Sequence, residues 1–186
     1  MNIFYLDRDP VVAAQMMCDK HVVKMILESA QMLSTAHRML DGKLTKKPSK
    51  SGKTMIRHYD LYEGKDDLEA EMIYYKAVHY NHPCNVWVRE SKANYEFLHK
   101  LFSALCNEYT RRYGKLHKTE QKLKKLLYWP PKNIPEGEFT QPPQAMPDDV
   151  KHEDSITAYR NYYKVHKEHL AKWTERQRPI FMDWAT

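Results

Sequence analysis

PVVAAQMMCDKHVVKMILESAQMLSTAHRML, residues 10–40, reads as one long helix around which the rest of the chain is organised. In this reading Asp9 is the N-cap, its carboxylate accepting orphan amides, and Pro10 is a first helical residue that loses nothing there. Asp41-Gly42 supplies the stop, because glycine accepts the left-handed geometry of a C-terminal cap. No Gly or Pro interrupts residues 11–40, and Ala, Met, Leu, Gln and Lys all favour helix. At about 100° per residue, Val22, Ile26, Ala30, Leu33 and Leu40 share one face, which Met25, Met32 and Ala36 extend sideways. His21, Lys24, Glu28, Gln31 and Thr35 fall on the opposite side, within roughly a quarter of the circumference. A helix apolar nearly all round belongs at the centre of its domain, so the narrow polar stripe is expected to line a cleft. The plainer alternative is a structural Lys24–Glu28 pair at i,i+4 on a partly solvated face.

The chain of 186 residues is long enough to bury a substantial core as one domain, 1–186. Lys and Arg number 30 against 24 Asp and Glu, and ten histidines add to the basic character. That balance favours anionic partners such as nucleic acid or nucleotides. Three isolated cysteines, Cys18, Cys84 and Cys106, make no disulfide framework and point to a reducing, cytoplasmic compartment. No apolar run approaches the roughly 20 residues of a membrane span, and no signal-peptide pattern opens the chain. Oligomeric state is not legible.

Met1-Asn2-Ile3-Phe4-Tyr5-Leu6 is expected to pack as a short extended lead-in to the central helix. Residues 41–58, rich in lysine and poor in apolar side chains, read as a basic surface loop. Gly52-Lys53-Thr54 does not make a P-loop, because Lys47 stands where the second glycine belongs and no buried strand precedes it. Asp66 onward predicts a short helix with Leu68, Met72 and Tyr75 inward. A second long helix follows, with Pro83 near its start and Gly114 at its end. Trp87, Asn94, Leu98, Leu101 and Leu105 form its buried face, beside Phe97 and Ala104. At its beginning Trp87, Arg89, Glu90 and Asn94 crowd polar groups into two turns, a candidate second wall of the cleft. Thr119 to Leu127 reads as a short basic helix. Six prolines then forbid helix or central strand over the segment 129–149, which is expected to wrap the core. The last helix runs from Asp154 or Ser155 to about Gln177, with Tyr159, Tyr162, Tyr163, His166, Leu170 and Trp173 as its stripe. His79, His82 and Cys84 fit no common zinc spacing, and His166-Lys167-Glu168-His169 is not HExxH. All these elements are helical, so the expected fold class is all-α.

The pattern resembles the phage-type pyrimidine dimer DNA glycosylases, the endonuclease V class of that name. The resemblance rests on LESAQML in the first helix and on VWVRESKANYEFLHKLFSALCNEYTRRYG, where a long helix ends in an Arg-aromatic-Gly turn. AYRNYYK near the C-terminus extends it, and through CDKHVVKM and QAMPD the chain also resembles uncharacterised phage proteins. It implies a small, basic, helical DNA glycosylase/lyase whose essential glutamate is Glu28. In that family the amine at the chain start attacks C1′ of the damaged nucleotide, the base leaves and an imine forms. The glutamate then assists the elimination that nicks the strand. An α-amino group suits this chemistry, since it titrates near ~7.7–8.0 in model peptides and a lysine near ~10.4. The family exposes a small residue by removing Met1, whereas Asn2 follows Met1 here. If Met1 stays, its own amine or Lys24 serves as nucleophile.

The candidate catalytic set is therefore Glu28, Lys24, His21 and Met1, with Gln31, Thr35, Trp87, Arg89, Glu90 and Asn94 as substrate-binding residues. Nucleic-acid contacts are expected from Lys20, Arg38, Lys47, Lys53, Arg57, Tyr159, Arg160, Tyr163 and Lys164. No cofactor and no metal enters this reading, and the expected partner is DNA, not a membrane. Two other classes fit the same residues. One is a different nucleotide- or base-processing enzyme with a closed pocket, and the other is a non-catalytic module that binds nucleic acid or a host protein.

Overall fold

The computed structural model describes residues 1–61 and 68–183. Its elements are α1 (Pro10–Met16), α2 (Asp19–Asp41), β1 (Lys43–Pro48), β2 (Met55–Asp60), α3 (Leu68–Ile73), α4 (Pro83–Glu90), α5 (Lys92–Tyr113), α6 (Lys118–Leu123) and α7 (Ser155–His166). The protein is mostly helical but not strictly all-α, because β1 and β2 pair as an antiparallel hairpin.

The stretch expected as one helix is two. Asp9 caps α1 as its composition predicts, its Oδ1 accepting from the Val11 amide at 2.8 Å. The helix then stops at Met17 and Cys18, both in extended geometry, and α2 restarts at Asp19. The carbonyls freed at this break do not go unpaired. Arg112 donates to Gln15 O and Met17 O, and the Trp173 indole donates to Met16 O. Distant side chains thus supply what the missing turn would have supplied, which removes the usual cost of opening a helix inside a core.

α2 is central, as its composition predicts. Val22, Ile26, Ala30 and Leu33 are buried, and so are Met25, Met32 and Ala36. Gly42 ends it with an extended backbone rather than the expected left-handed turn. Glycine is needed there for space, since a Cβ would come 2.3 Å from Arg38 O.

The region expected as a loop is the hairpin. Thr45, Ile56 and Tyr59 suit strands, and the register pairs Leu44 with Tyr59 and Lys46 with Arg57. Gly52, at φ 72°, turns the tip, where the Ser49 amide donates to Thr54 O at 2.7 Å. So few apolar residues hide the alternation from a reading of hydrophobic pattern. Met72 of α3 is exposed rather than inward, whereas Tyr75 packs against the core. Asp66 and the Leu68 side chain fall outside the described residues.

The second long helix also divides. Ser91, extended at φ −152°, separates α4 from α5 and caps the latter, its Oγ accepting from the Asn94 amide at 3.1 Å. Segment 129–149 causes this break, since Pro135 O accepts from the Lys92 amide and Glu138 O from the Ser91 hydroxyl. Its Gly137 lies against Ser91 Cβ, where an added Cβ would come within 3.0 Å. Gly114 ends α5 in the left-handed conformation, as expected. α7 stops at His166 instead of near Gln177, and the tail continues in 3-10 turns and irregular chain. One hydrophobic cluster runs through the molecule from Ile3 to Met182.

Candidate active site

The lead-in decides where the chain's own amine sits. Ile3, Phe4, Tyr5 and Leu6 are all buried. Phe4 stacks on His21, ring centroids 4.2 Å apart, while Tyr5 meets Phe97 edge-on from the other side. Arg160 fixes the far end by donating to Leu6 O at 2.9 Å and to Asp7 at 3.3 Å. A terminus packed over four residues has lost the mobility of an ordinary chain end.

The amine of Met1 lies 3.8 Å from Glu28 Oε2, and Lys24 Nζ lies 3.3 Å from Glu28 Oε1. One carboxylate, on the polar stripe of α2, therefore faces two amine nitrogens. They differ in setting: the Met1 side chain is 5% exposed and that of Lys24 is 67% exposed. The amine is held in place by the fold, whereas Lys24 reaches in from solvent.

Beside the amine lie the loop 78–82 and the start of α4. Asn85 is fully buried, and its Nδ2 donates to Val78 O and His79 O, each at 3.0 Å, and lies 3.4 Å from Met1 Sδ. His82 caps α4, its Nδ1 accepting from the Cys84 amide at 3.2 Å. That bond leaves Nε2 to carry the proton of the neutral ring. Burial first, then the positive charge of the chain's amine, lower the His82 pKa, with Glu28 opposing. His79 holds a left-handed backbone, φ 46°, in this loop. Spacing marks His79 and His82 only as poor metal ligands, and no motif marks Asn85. The legible signal was a capping residue directly before Pro83, which marks a helix start beside a chain that must turn.

Several expected site residues are engaged in bonds within the fold. Thr35 is buried, donates to Gln31 O and accepts from the Val78 amide. Arg89 ties the loop by donating to Asn85 O and Tyr80 O, both at 2.9 Å. Trp87 and Asn94 are buried and hold segment 129–149 through Thr140. Gln31 is half-buried and Glu90 exposed. His21 is buried against Phe4 and bonded to the Tyr163 hydroxyl, and burial pushes its pKa down to about 3. It stays neutral near pH 7 and acts as packing.

The expected nucleic-acid residues divide the same way. Tyr159 and Tyr163 are fully buried and so cannot stack on bases; Tyr159 donates to Pro143 O at 2.7 Å. Arg38 is buried too, donating to four backbone carbonyls and to Glu71. Arg160 serves the lead-in. Lys20, Lys47, Lys53 and Arg57 are exposed and Lys164 is half-exposed. Helical spacing placed the aromatic stripe correctly, but only packing reveals that it faces inward.

The thiols are not competing nucleophiles. Burial pushes Cys84 up to about 11 and Cys106 to about 12, and it raises Cys18, so all three are protonated near pH 7. Among the described residues no three His, Cys, Asp or Glu side chains gather to hold a metal ion. No helix among them is long and apolar enough to cross a membrane.

The arrangement defines a helical protein that presents its N-terminal amine to a carboxylate on its central helix. Residues 1–121 match the family described as pyrimidine dimer DNA glycosylase, and the chain belongs to that family. Membership implies pyrimidine dimer DNA glycosylase activity, with DNA as the substrate. Comparison with curated proteins and with solved structures found no match. The matched residues include the amine, Glu28, the hairpin, the loop 78–82 and α4; α7 and its AYRNYYK stretch lie beyond them.

Proposed function

We propose that the protein is a DNA glycosylase/lyase for damaged pyrimidines and that its nucleophile is the N-terminal amine rather than Lys24. The ion pair between Met1 and Glu28 carries this reading. The amine's nitrogen forms a bond to C1′ of the deoxyribose as the bond from C1′ to the base breaks and the base departs. The nitrogen attacks in its neutral form; the ionised Glu28 offsets the positive charge that builds on the sugar and then takes the proton that the nitrogen sheds once its bond to C1′ has formed. Ring opening gives an imine, and the same carboxylate assists the elimination that cuts the strand. Lys24 stays on the outer oxygen of Glu28 and steadies its orientation. Holding the amine on a packed lead-in supports the choice, because attack from a fixed position avoids the entropy lost in immobilising a free lysine. Retention of Met1 fits the buried contact between its sulfur and Asn85. Work on DNA inside a cell agrees with three buried, unpaired cysteines.

The test is borohydride reduction during incubation with UV-irradiated or abasic DNA, followed by peptide mapping of the adduct. The expected adduct lies on the N-terminal peptide. An adduct on Lys24 would reassign the nucleophile, and no adduct on either would remove the lyase mechanism.

A further inference from the structure

We propose that the β1–β2 hairpin is an arm that grips duplex DNA beside the lesion through the face bearing Lys46 and Arg57. This rests on the glycosylase reading for its substrate, but the observations that carry it are separate. Residues 43–60 hold six Lys or Arg side chains and one carboxylate, so most of the chain's net charge of +6 sits on one small projection.

The register divides those charges between two faces. On one face Asp60 accepts from Thr45 Oγ1 and from Lys47 Nζ, each at 2.7 Å, and so uses the hairpin's single carboxylate. The other face carries Leu44, Lys46, Pro48, Met55, Arg57 and Tyr59. There Lys46 stands directly opposite Arg57, and neither has an acidic partner among the described residues. Like charges placed opposite each other weaken a strand pair, so the free hairpin is paired at a cost that an anion between them would relieve. Leu44 and Met55 on the same face are exposed as well. A face that is cationic and apolar together fits phosphates flanking a groove, and a two-stranded ribbon is narrow enough to enter the major groove.

The same face leads to the amine. Tyr59 at its base meets Tyr80 edge-on, ring centroids 6.1 Å apart. Tyr80 belongs to the loop that Arg89 ties, and its neighbour His79 is held by Asn85, which also touches Met1. From Tyr59 the strand continues four residues to Met55, a reach of about 14 Å. DNA bound at the amine would therefore pass along the Lys46–Arg57 face for about four base pairs, at roughly 3.4 Å each.

The experiment compares Lys46→Gln/Arg57→Gln with Lys43→Gln/Lys47→Gln on the opposite face, in the full chain. The probe is a fluorescent duplex of about 30 base pairs with one central abasic site, titrated between about 50 and 200 mM salt. Loss of two phosphate contacts in Lys46→Gln/Arg57→Gln should flatten the slope of log affinity against log salt by about 1.8. Its melting temperature should hold or rise. The opposite-face pair should change the slope by less than half as much. An unchanged slope in the first pair, or an equal change in both, would overturn the arm. Trapping by wild type together with an unaltered hairpin variant would leave the glycosylase reading standing alone. The expected slope change without any trapped imine would retain the arm and remove that reading, and no duplex binding at all would remove both.

Discussion

Glu28 has an amine on each oxygen, and its two neighbours predict different things. Glu28→Gln keeps the size of the side chain but can neither take a proton nor offset a cationic sugar. Strand cleavage should fall by about 10²-fold or more, with DNA affinity nearly unchanged. The Lys24 pair adds little to the stability cost, because Lys24 is largely solvent-exposed and such pairs contribute roughly 0–1 kcal/mol; the remaining cost comes from the amine of Met1. Cleavage rate and melting temperature measured on one preparation check both; wild-type nicking would remove Glu28 from the chemistry. Lys24→Ala should still trap an imine, whereas acetylating the N-terminal amine should abolish it. The reverse pattern, scored by gel shift after borohydride, would make Lys24 the nucleophile.

At the scale of elements, the joints of this fold are held from far away in sequence. Arg112 is buried and bridges Asp19 at 3.0 Å and Glu108 at 2.8 Å while it caps the end of α1. Asp19 also accepts from the Thr174 amide and hydroxyl, and Arg176 forks onto Glu108, so the C-terminal tail closes the same joint. These bonds hold the Asp19 and Glu108 pKa values down against the burial that would raise them. Arg112→Ala leaves buried carboxylates and carbonyls short of a partner and should cost about 3–5 kcal/mol, measured by urea unfolding. A loss under about 1 kcal/mol would mean that water replaces the guanidinium at no great cost. Two glycines give a finer comparison. Gly114→Ala meets open space and bears only the strain of positive φ, about 1 kcal/mol. Gly42→Ala must push Arg38 O away and should cost more, about 1–3 kcal/mol. Their melting temperatures should rank accordingly, and the opposite order would contradict the crowding of Gly42 by Arg38 O.

For the whole molecule, two buried histidines set an acid limit. Burial pushes His21 down to about 3 and His37 to about 4, the latter bonded to the Tyr95 hydroxyl at 2.9 Å. In the unfolded chain both titrate near ~6.5. Below that pH the unfolded state binds protons that the folded state refuses, so stability is full above about pH 7 and falls as pH drops. Each histidine contributes a slope of about 1.4 kcal/mol per pH unit until its folded pKa is reached. Urea unfolding at about pH 7, 6 and 5 should show a decline that steepens below about pH 6.5 toward twice that slope. A flat profile would mean that the two rings are solvated in the folded state.

The chain by itself determined a helical protein with α2 at its centre. It also determined the caps at Asp9 and Gly114, an irregular proline-rich stretch, and Glu28 with Lys24 on one polar stripe. Those features follow from local chemistry: periodic apolar residues, a carboxylate before a proline, a glycine after a basic turn. Tertiary structure decided the rest. No residue type near Met17 announces a broken helix; the break exists because Arg112, some 95 residues away, accepts the role of the missing turn. The Ser91 break depends likewise on segment 129–149 offering Pro135 O and Glu138 O. The hairpin carries too few apolar residues to declare its alternation, and its strands are fixed by pairing with each other. Tyr159, Tyr163 and Arg38 look like a nucleic-acid surface in sequence, and only packing shows them spent inside. Above all, no pattern in residues 1–6 could place the amine 3.8 Å from Glu28. That distance is set by Phe4 seated on His21 and by Arg160 holding Leu6, contacts between residues that sequence spacing cannot bring together.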